Sequence, residues 1–370
     1  MIRHRPVEGA VLILSNEDVD RVLTMPMVIA ALEDAYRDLG EGDATTVPRV
    51  DSLAPHPTRP GAVHAFKTMS ASFPRREVVA LRLNSDVIEW PTGSDGAPRR
   101  RKIPAGPGGT YNGMIQLYSM ATGEPLAMFP DGAVQRMRVG GTNGLAVRHL
   151  ARDDARVVAL IGSGWQAGAQ VLAVTQVRPI ERIRVFSPSE ENRHRFVERL
   201  GTQVDTPLEA VAEGDAAVEG ADIVMLATNS MAPVFDERWI VPGVTVTTIR
   251  GPEVSGRALA AFDRVVVHER DVVRGYAAGG VREMSPEFRG GEYRRSDAEA
   301  YDLATAATLV EVIAEPSRGR RSDDESIIFH NFVGMGLQFA AVGAAVFEAA
   351  RQQGLGREIP TEWFLQHVHP

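Results

Sequence analysis

The chain has 370 residues, of which 44% are hydrophobic and 24% charged, and a net charge of −8. At roughly 150 residues per domain this is a globular protein of two or three domains, which excludes a disordered or fibrous chain, and the acidic balance argues against a nucleic-acid partner. No apolar run approaches the roughly 20 residues that cross a bilayer, so neither a membrane span nor, from the short apolar start, a signal peptide is expected; the absence of cysteine excludes disulfides and fits a cytoplasmic protein.

Residues 11–40 read as a short strand, VLILS, and then a helix capped by Asn16 or Asp18. The helix carries Val19, Val22, Val28, Ile29, Leu32 and Tyr36 at helical spacing. Segments 62–69, 78–88, 113–119 and 125–130 read as strands, and 120–125 as a hairpin turn. Residues 91–110, rich in Gly, Pro and Arg, form a loop long enough to have a function or to move. A helix is predicted over 133–150. Strands and helices then alternate: strand 157–161, helix 165–177, strand 182–187, helix 190–200, a short strand near 204, helix 208–218, then strands 222–227, 244–249 and 264–267. Such alternation predicts a parallel sheet covered on both faces. Residues 283–300 read as irregular, with helices at 302–313 and 334–354. The chain divides near 131, an α+β unit before it and a doubly wound α/β unit after it.

Residues 156–170, RVVALIGSGWQAGAQ, place a buried-type strand directly before Gly162-Ser163-Gly164 and a helix directly after. One glycine makes the tight turn, the next admits a pyrophosphate, and the helix N-terminus supplies amide donors; Ala167 stands where a third glycine is usual. This predicts a Rossmann-type dinucleotide site. The end of the next strand has Ser187 and Ser189 with Arg193 nearby. An NAD-selective site places an acidic residue there, so these hydroxyls and the arginine lean toward NADP over NAD, although both serines also suit a helix cap and Glu190 pulls mildly the other way. Thr228, Asn229 and Ser230 sit at a further strand end, facing the cofactor or simply forming a loop.

Four segments together resemble the ornithine cyclodeaminase and mu-crystallin family: Pro48-Arg49-Val50; Phe66-Lys67-Thr68-Met69; Thr122-Gly123-Glu124-Pro125-Leu126-Ala127 with Arg136-Met137-Arg138-Val139-Gly140-Gly141; and Gly162-Ser163-Gly164-Trp165-Gln166-Ala167. The resemblance implies a Rossmann domain over 132–326 and a substrate-binding, dimerising α+β domain from 1–131 with 327–370. It also implies hydride transfer between a nicotinamide and the α-carbon of a small amino or imino acid, in a homodimer. The family's carboxylate-binding arginines match Arg49 and Arg138, and its active-site lysine matches Lys67. Physical chemistry agrees with these types. A carboxylate suits the planar guanidinium fork, and a lysine among apolar neighbours is desolvated toward a useful acid–base range. Of 40 basic residues only Lys67 and Lys102 are lysine; Lys102, in the Arg-rich loop, reads as solvated.

In one place the chain departs from the family. The acidic residue that handles substrate amines in cyclodeaminases falls on Pro252, with Glu253 beside it as a shifted catalytic carboxylate. Reduction of an imino acid, or dehydrogenation of an amino acid, is therefore favoured over cyclodeamination. The rivals are a non-catalytic NADPH-binding protein like mu-crystallin and a hydroxy-acid dehydrogenase with His268 as base. Asp86 and Glu89 read as partners of nearby arginines before substrate groups, and His56, His64 and the terminal His367 and His369 lack metal-ligand spacing, so no metal is assigned.

Overall fold

The computed structural model of the protein describes residues 9–92, 100–270, 274–281, 288–289, 292–293 and 301–366. The first helix is capped by Ser15 and not by Asn16 or Asp18: the Ser15 hydroxyl accepts from the Asp18 backbone while the Asp18 carboxylate accepts from the Ser15 N–H. This reciprocal box closes a short helix, Asn16–Val22, and Thr24 caps a second, Met25–Glu41.

Two sheets organise the described chain. The larger is mixed. Its central strands run Val50–Pro55, Val63–Phe73, Val78–Glu89, Asn112–Ser119 and Pro125–Pro130, antiparallel in that order. Ala10–Ile13 adds in parallel to the last of these, and Arg274–Ala277 adds in parallel to the first. Within the expected 91–110 loop, Arg101–Ile103 pairs with Val87–Glu89, while 93–99 lie outside the described residues, as do most of 283–300 and the histidines of the tail.

The second sheet is parallel throughout, in the order Leu208–Ala210, Arg182–Phe186, Val157–Ile161, Ile223–Leu226, Thr245–Thr247, Ile327–His330, Arg264–Val267, Ala307–Thr308. The helix expected over 208–218 is instead a strand and a short helix, Gly214–Val218, because Leu208–Ala210 pairs with the open edge of Arg182–Phe186. The helix expected from 302 is a single turn, Leu303–Thr305, followed by a two-residue strand and the helix Leu309–Ala314. Chain order reverses beside Val157–Ile161, the position where doubly wound sheets open a crevice at their carboxyl ends. The strand Ile327–His330, which the sequence reading grouped with the first unit, lies inside this parallel sheet, and Arg274–Ala277, grouped with the second, pairs in the mixed one.

Helix Gly132–Leu150 lies against both neighbours through glycine. A Cβ at Gly140 would stand 2.5 Å from the Ala169 carbonyl oxygen, and one at Gly141 would stand 2.7 Å from Val28 Cγ1. The Gly140-Gly141 pair is thus two contacts on two sides, one to helix Trp165–Val177 and one to Met25–Glu41. Helix Gly336–Gln352 covers the mixed sheet; a Cβ at Gly336 would collide with the Ser70 backbone, so the glycine-rich start of this helix serves close packing.

Candidate active site

The inward faces of two paired strands hold the polar centre. Along Val78–Glu89 alternate residues are buried, and the buried set is Val78, Ala80, Arg82, Asn84, Asp86 and Ile88. Apolar residues close both ends and three polar ones occupy the middle. Across the ladder Arg82 faces Met69, Asn84 faces Lys67 and Asp86 faces Ala65, while Lys67 also faces Asp51 on the next strand. Directly opposed side chains in antiparallel strands are in contact range, so the register alone gathers Asp51, Lys67, Asn84 and Asp86.

Lys67 is only 5% exposed and donates to Asp86 Oδ2 at 3.0 Å. Burial, then the charges of Arg100, Arg49 and Lys102, lower its ammonium from 10.5 to about 8, against the opposing pull of Asp86. The Asp86 carboxyl is itself held below its usual range: burial acts to raise it, but Lys67 and Lys102 outweigh that. Lys102, expected to be solvated, reaches Asp86 Oδ2 at 2.9 Å. Glu89 pairs with Arg59 and Arg101, and His64 shares a hydrogen bond with Ser85 at 2.9 Å. Among the described residues no cluster of three metal-ligating side chains occurs.

Three arginines surround this centre, and they are held differently. Arg49 grips Asp51 with two bonds, 2.7 and 2.6 Å, and lines a shallow cleft with Thr46, Glu269, Val333, Gly334 and Met335. Arg82 is fixed by Asp131 at 2.6 Å. Arg138 is buried and is held by neutral amides: Nη1 donates to Gln338 Oε1 and Nη2 to Gln135 Oε1, both at 2.8 Å. Its Nε is buried without a partner, and a side chain at Gly334 in the cleft wall would overlap its Nη1. Burial, then Arg82, pull the guanidinium down to about 9, which leaves it a cation at neutral pH. Arg82 and Arg138 each lie 5.2 Å from the centre of the Phe339 ring. Arg82, Asp131 and Gln338 were given no site role from sequence; the signal for the first was a charged residue at a core-facing position of an alternating strand.

The glycine turn follows Val157–Ile161 as expected. Gly162 has φ +120°, and a Cβ there would strike the Ala227 carbonyl, so the turn requires glycine. Gly164 is the cap of helix Trp165–Val177; it offers no side chain to the first-turn amides and has open space where a Cβ would be. Those free donors and that space fit a pyrophosphate. Ala167 is fully buried and Trp165 is exposed, with Arg136 stacked on its ring and donating to its carbonyl. Gln166 Oε1 is buried without a partner. At the next strand end the Ser163 and Ser187 hydroxyls are 2.9 Å apart, Ser189 caps helix Glu190–Gly201, and Arg193 Nη1 donates to the Ser187 carbonyl at 3.1 Å.

Glu253 is fully buried, and its carboxylate ties two loops together. Oε1 accepts from Thr228 N and Oγ1 at 2.6 and 2.9 Å; Oε2 accepts from Ile249 N and Arg250 N at 2.8 and 3.0 Å. Burial raises its carboxyl, against these bonds. A catalytic carboxylate was expected here; both oxygens are instead engaged in shaping the Thr228-Asn229-Ser230 loop, in which Ser230 bonds back to Ala232 and Asn229 is exposed. His268 has no exposure and both ring nitrogens are engaged, one with Tyr36 and one with the Val333 carbonyl; burial lowers it to about 4, which removes the base a hydroxy-acid dehydrogenase would need.

The pattern of the Ornithine cyclodeaminase/mu-crystallin family matches residues 10–354. A Delta(1)-pyrroline-2-carboxylate reductase of Bacillus cereus is 29% identical over 255 residues, 68% of this chain and 74% of that one. Among solved structures, the Thermococcus litoralis Delta(1)-pyrroline-2-carboxylate reductase in complex with NADH and L-proline has a TM-score of 0.74 at 24% identity, covering 94% of this chain and all of the other. An archaeal alanine dehydrogenase dimer with bound NAD has a TM-score of 0.72 at 23% identity, covering 95% and 99%. Both structures share the fold of this chain.

Proposed function

The chain belongs to the ornithine cyclodeaminase/mu-crystallin family, and from that premise we propose that it is an NAD(P)-dependent oxidoreductase acting on the C–N bond of a small amino or imino acid. In the reducing direction an imino acid gains a hydride at its α-carbon and a proton at its nitrogen, giving the amino acid. The matched reductase and dehydrogenase support this class. The observation that carries it is Arg138: a buried cation held only by neutral amides, beside a cleft, has a charge left for a carboxylate.

In this reading Arg138 binds the substrate carboxylate. Arg49 contributes less, because Asp51 already occupies two of its donors. Lys67, a cation below about pH 8, supplies or receives the proton at the substrate nitrogen, and Asp86 holds it in place. When bound, the nicotinamide gives or takes the hydride. Gly162, Ser163, Gly164, Trp165, Gln166 and Ala167 hold the pyrophosphate through the helix terminus, and the Thr228-Asn229-Ser230 loop flanks the nicotinamide side. Ser163, Ser187, Ser189 and Arg193, with no carboxylate bonded at that strand end among the described residues, support NADP over NAD. The homodimer is supported by the dimeric relative, and a cytoplasmic location by the absence of cysteine. Among the described residues no helix is long and apolar enough to cross a membrane. Cyclodeamination fits less well, since Glu253 has no free oxygen for a substrate amine.

The test is oxidation of NADPH and NADH, in parallel, with cyclic imino acids and with 2-oxo acids plus ammonia, beside ammonia release from L-ornithine with catalytic NAD⁺. Imine-dependent oxidation, faster with NADPH, is the expected result. Ammonia from ornithine without net cofactor change would make the chain a cyclodeaminase, and oxidation with neither would leave a binding protein.

A further inference from the structure

Behind Arg138 runs a row of buried hydrogen bonds whose direction is fixed by chemistry. His268 Nδ1 lies 2.6 Å from the Val333 carbonyl, which can only accept, so Nδ1 carries the proton. The ring is neutral, and Nε2 accepts from the Tyr36 hydroxyl at 2.8 Å. The Tyr36 oxygen in turn accepts from Gln338 Nε2 at 2.9 Å. Thr142 Oγ1, whose own proton goes to the Arg138 carbonyl at 2.8 Å, accepts from the same Nε2 at 2.7 Å. At the other end, Gln338 Oε1 accepts from Arg138 Nη1 at 2.8 Å and from Met335 N at 3.0 Å. Both of those partners only donate, so the amide has one orientation. A flip would set N–H against N–H at Arg138 and leave Tyr36 and Thr142 facing an oxygen. Tyr36, Thr142, His268 and Gln338 have no solvent exposure.

We infer that Gln338, locked by Tyr36 and Thr142, is a positioning residue that holds Arg138 for the ligand carboxylate while leaving its charge unneutralised. The inference rests on the assignment of Arg138 to the substrate carboxylate made above. Its support is the contrast among the three arginines. Arg49 and Arg82 are each fixed by an aspartate, which consumes much of the attraction they could offer an anion; Arg138 is fixed equally firmly by groups of no net charge. The same Gln338 oxygen holds the backbone of Met335, so the device also sets the cleft wall of Val333, Gly334 and Met335. The specificity that follows is for a ligand with a free carboxylate over the same ligand as an amide.

The experiment uses the full chain saturated with NADPH. Wild type, Gln338→Glu and Tyr36→Phe are titrated calorimetrically with two pairs, L-proline against L-prolinamide and L-alanine against L-alaninamide. The wild type should prefer at least one acid over its amide tenfold or more. Gln338→Glu, nearly isosteric but anionic, should cut that preference to within threefold while the Kd for NADPH changes less than twofold. Tyr36→Phe, which keeps the ring and removes one of the two hydroxyls that hold the amide, should lose part of it, about three- to tenfold, and it carries the test if Gln338→Glu fails to fold. A merely structural role would lower Tm and weaken both members of a pair alike. Full retention of the acid preference in the variants overturns the inference, as does its absence from the wild type. Cofactor oxidation with an imine in the wild type is scored separately. If it occurs without any effect of Gln338 the proposed function stands and this inference falls, and the converse result reverses the two.

Discussion

Reductive turnover should fall above about pH 8, because the proton donor is a buried lysine. Lys67 is 5% exposed, sits 3.0 Å from Asp86 and is lowered from 10.5 to about 8 by burial and by three neighbouring cations. That difference is worth about 3 kcal/mol of preference for the neutral amine over the same amine in water. As the donor must be charged, kcat/KM for reduction should be flat below about pH 8 and drop roughly tenfold per pH unit above it. The same displacement has a stability consequence. Between about 8 and 10.5 the unfolded chain binds the proton that the folded chain has released, so stability rises with pH across that window; below it both states are protonated and the whole penalty is present. The assay is initial-rate reduction of the best imino acid from pH 6 to 10, with denaturant unfolding at the same values. Lys67→Met should slow reduction by about 10²- to 10⁴-fold with unchanged cofactor affinity, and should abolish the rise in stability above pH 8. Lys67→Arg keeps a cation beside Asp86, which no longer titrates in the range. A descent at pH 8 that survives in Lys67→Arg belongs to the substrate imine, and that outcome, or a Lys67→Met enzyme within threefold of wild type, would refute the assignment.

Further expectations concern the carboxylate site, the cofactor, the loops and the helices. Arg138→Met should raise KM for the acid substrate about 10- to 100-fold, the worth of a charge-assisted hydrogen-bond pair, leaving cofactor affinity unchanged in a fluorescence titration; an unaltered KM would exclude Arg138 from the site. Ser187→Asp should move the NADPH-to-NADH ratio of kcat/KM at least tenfold toward NADH, since a carboxylate there repels a 2′-phosphate and binds ribose hydroxyls. Glu253→Gln sets an amide N–H against backbone donors of Thr228 or of Ile249 and Arg250, at about 1–3 kcal/mol per unsatisfied group. A lower Tm with weaker cofactor binding is the expected sign, and an unchanged Tm would show that the carboxylate does not tie the loops. Gly140→Ala should cost about 1–3 kcal/mol in denaturant unfolding, because its Cβ would lie 2.5 Å from the Ala169 carbonyl oxygen.

Much of this molecule is legible in its sequence. The glycine turn after 157–161 and the alternating strands and helices are local signals: a φ of +120° at Gly162 and buried aliphatic runs need no distant partner to be read. The serine-rich end of strand Arg182–Phe186 and the helix cap at Ser189 were readable for the same reason. Short elements failed where pairing decided them. Leu208–Ala210 has no strand pattern of its own and becomes one only beside Arg182–Phe186, and Thr305 to Thr308 are divided between a turn and an edge strand.

The same divide runs through the site. Resemblance to the family pointed to Arg49, Lys67 and Arg138, and to Glu253 as a shifted carboxylate, and each residue type suits a step of amino-acid chemistry. What each side chain is free to do was settled by partners far away in the chain. Asp51 takes up Arg49, Asp86 meets both Lys67 and Lys102, Asp131 takes Arg82, and four loop donors occupy Glu253. Arg138 depends on Gln338, 200 positions later, and through it on Tyr36 and His268. Sequence determined which groups are present and which local turns they can make, since backbone conformation and alternation are properties of neighbouring residues. Only the tertiary structure decided which charges are neutralised and which remain available, because at a few ångströms in a buried site that balance depends on distances between residues that no local pattern relates.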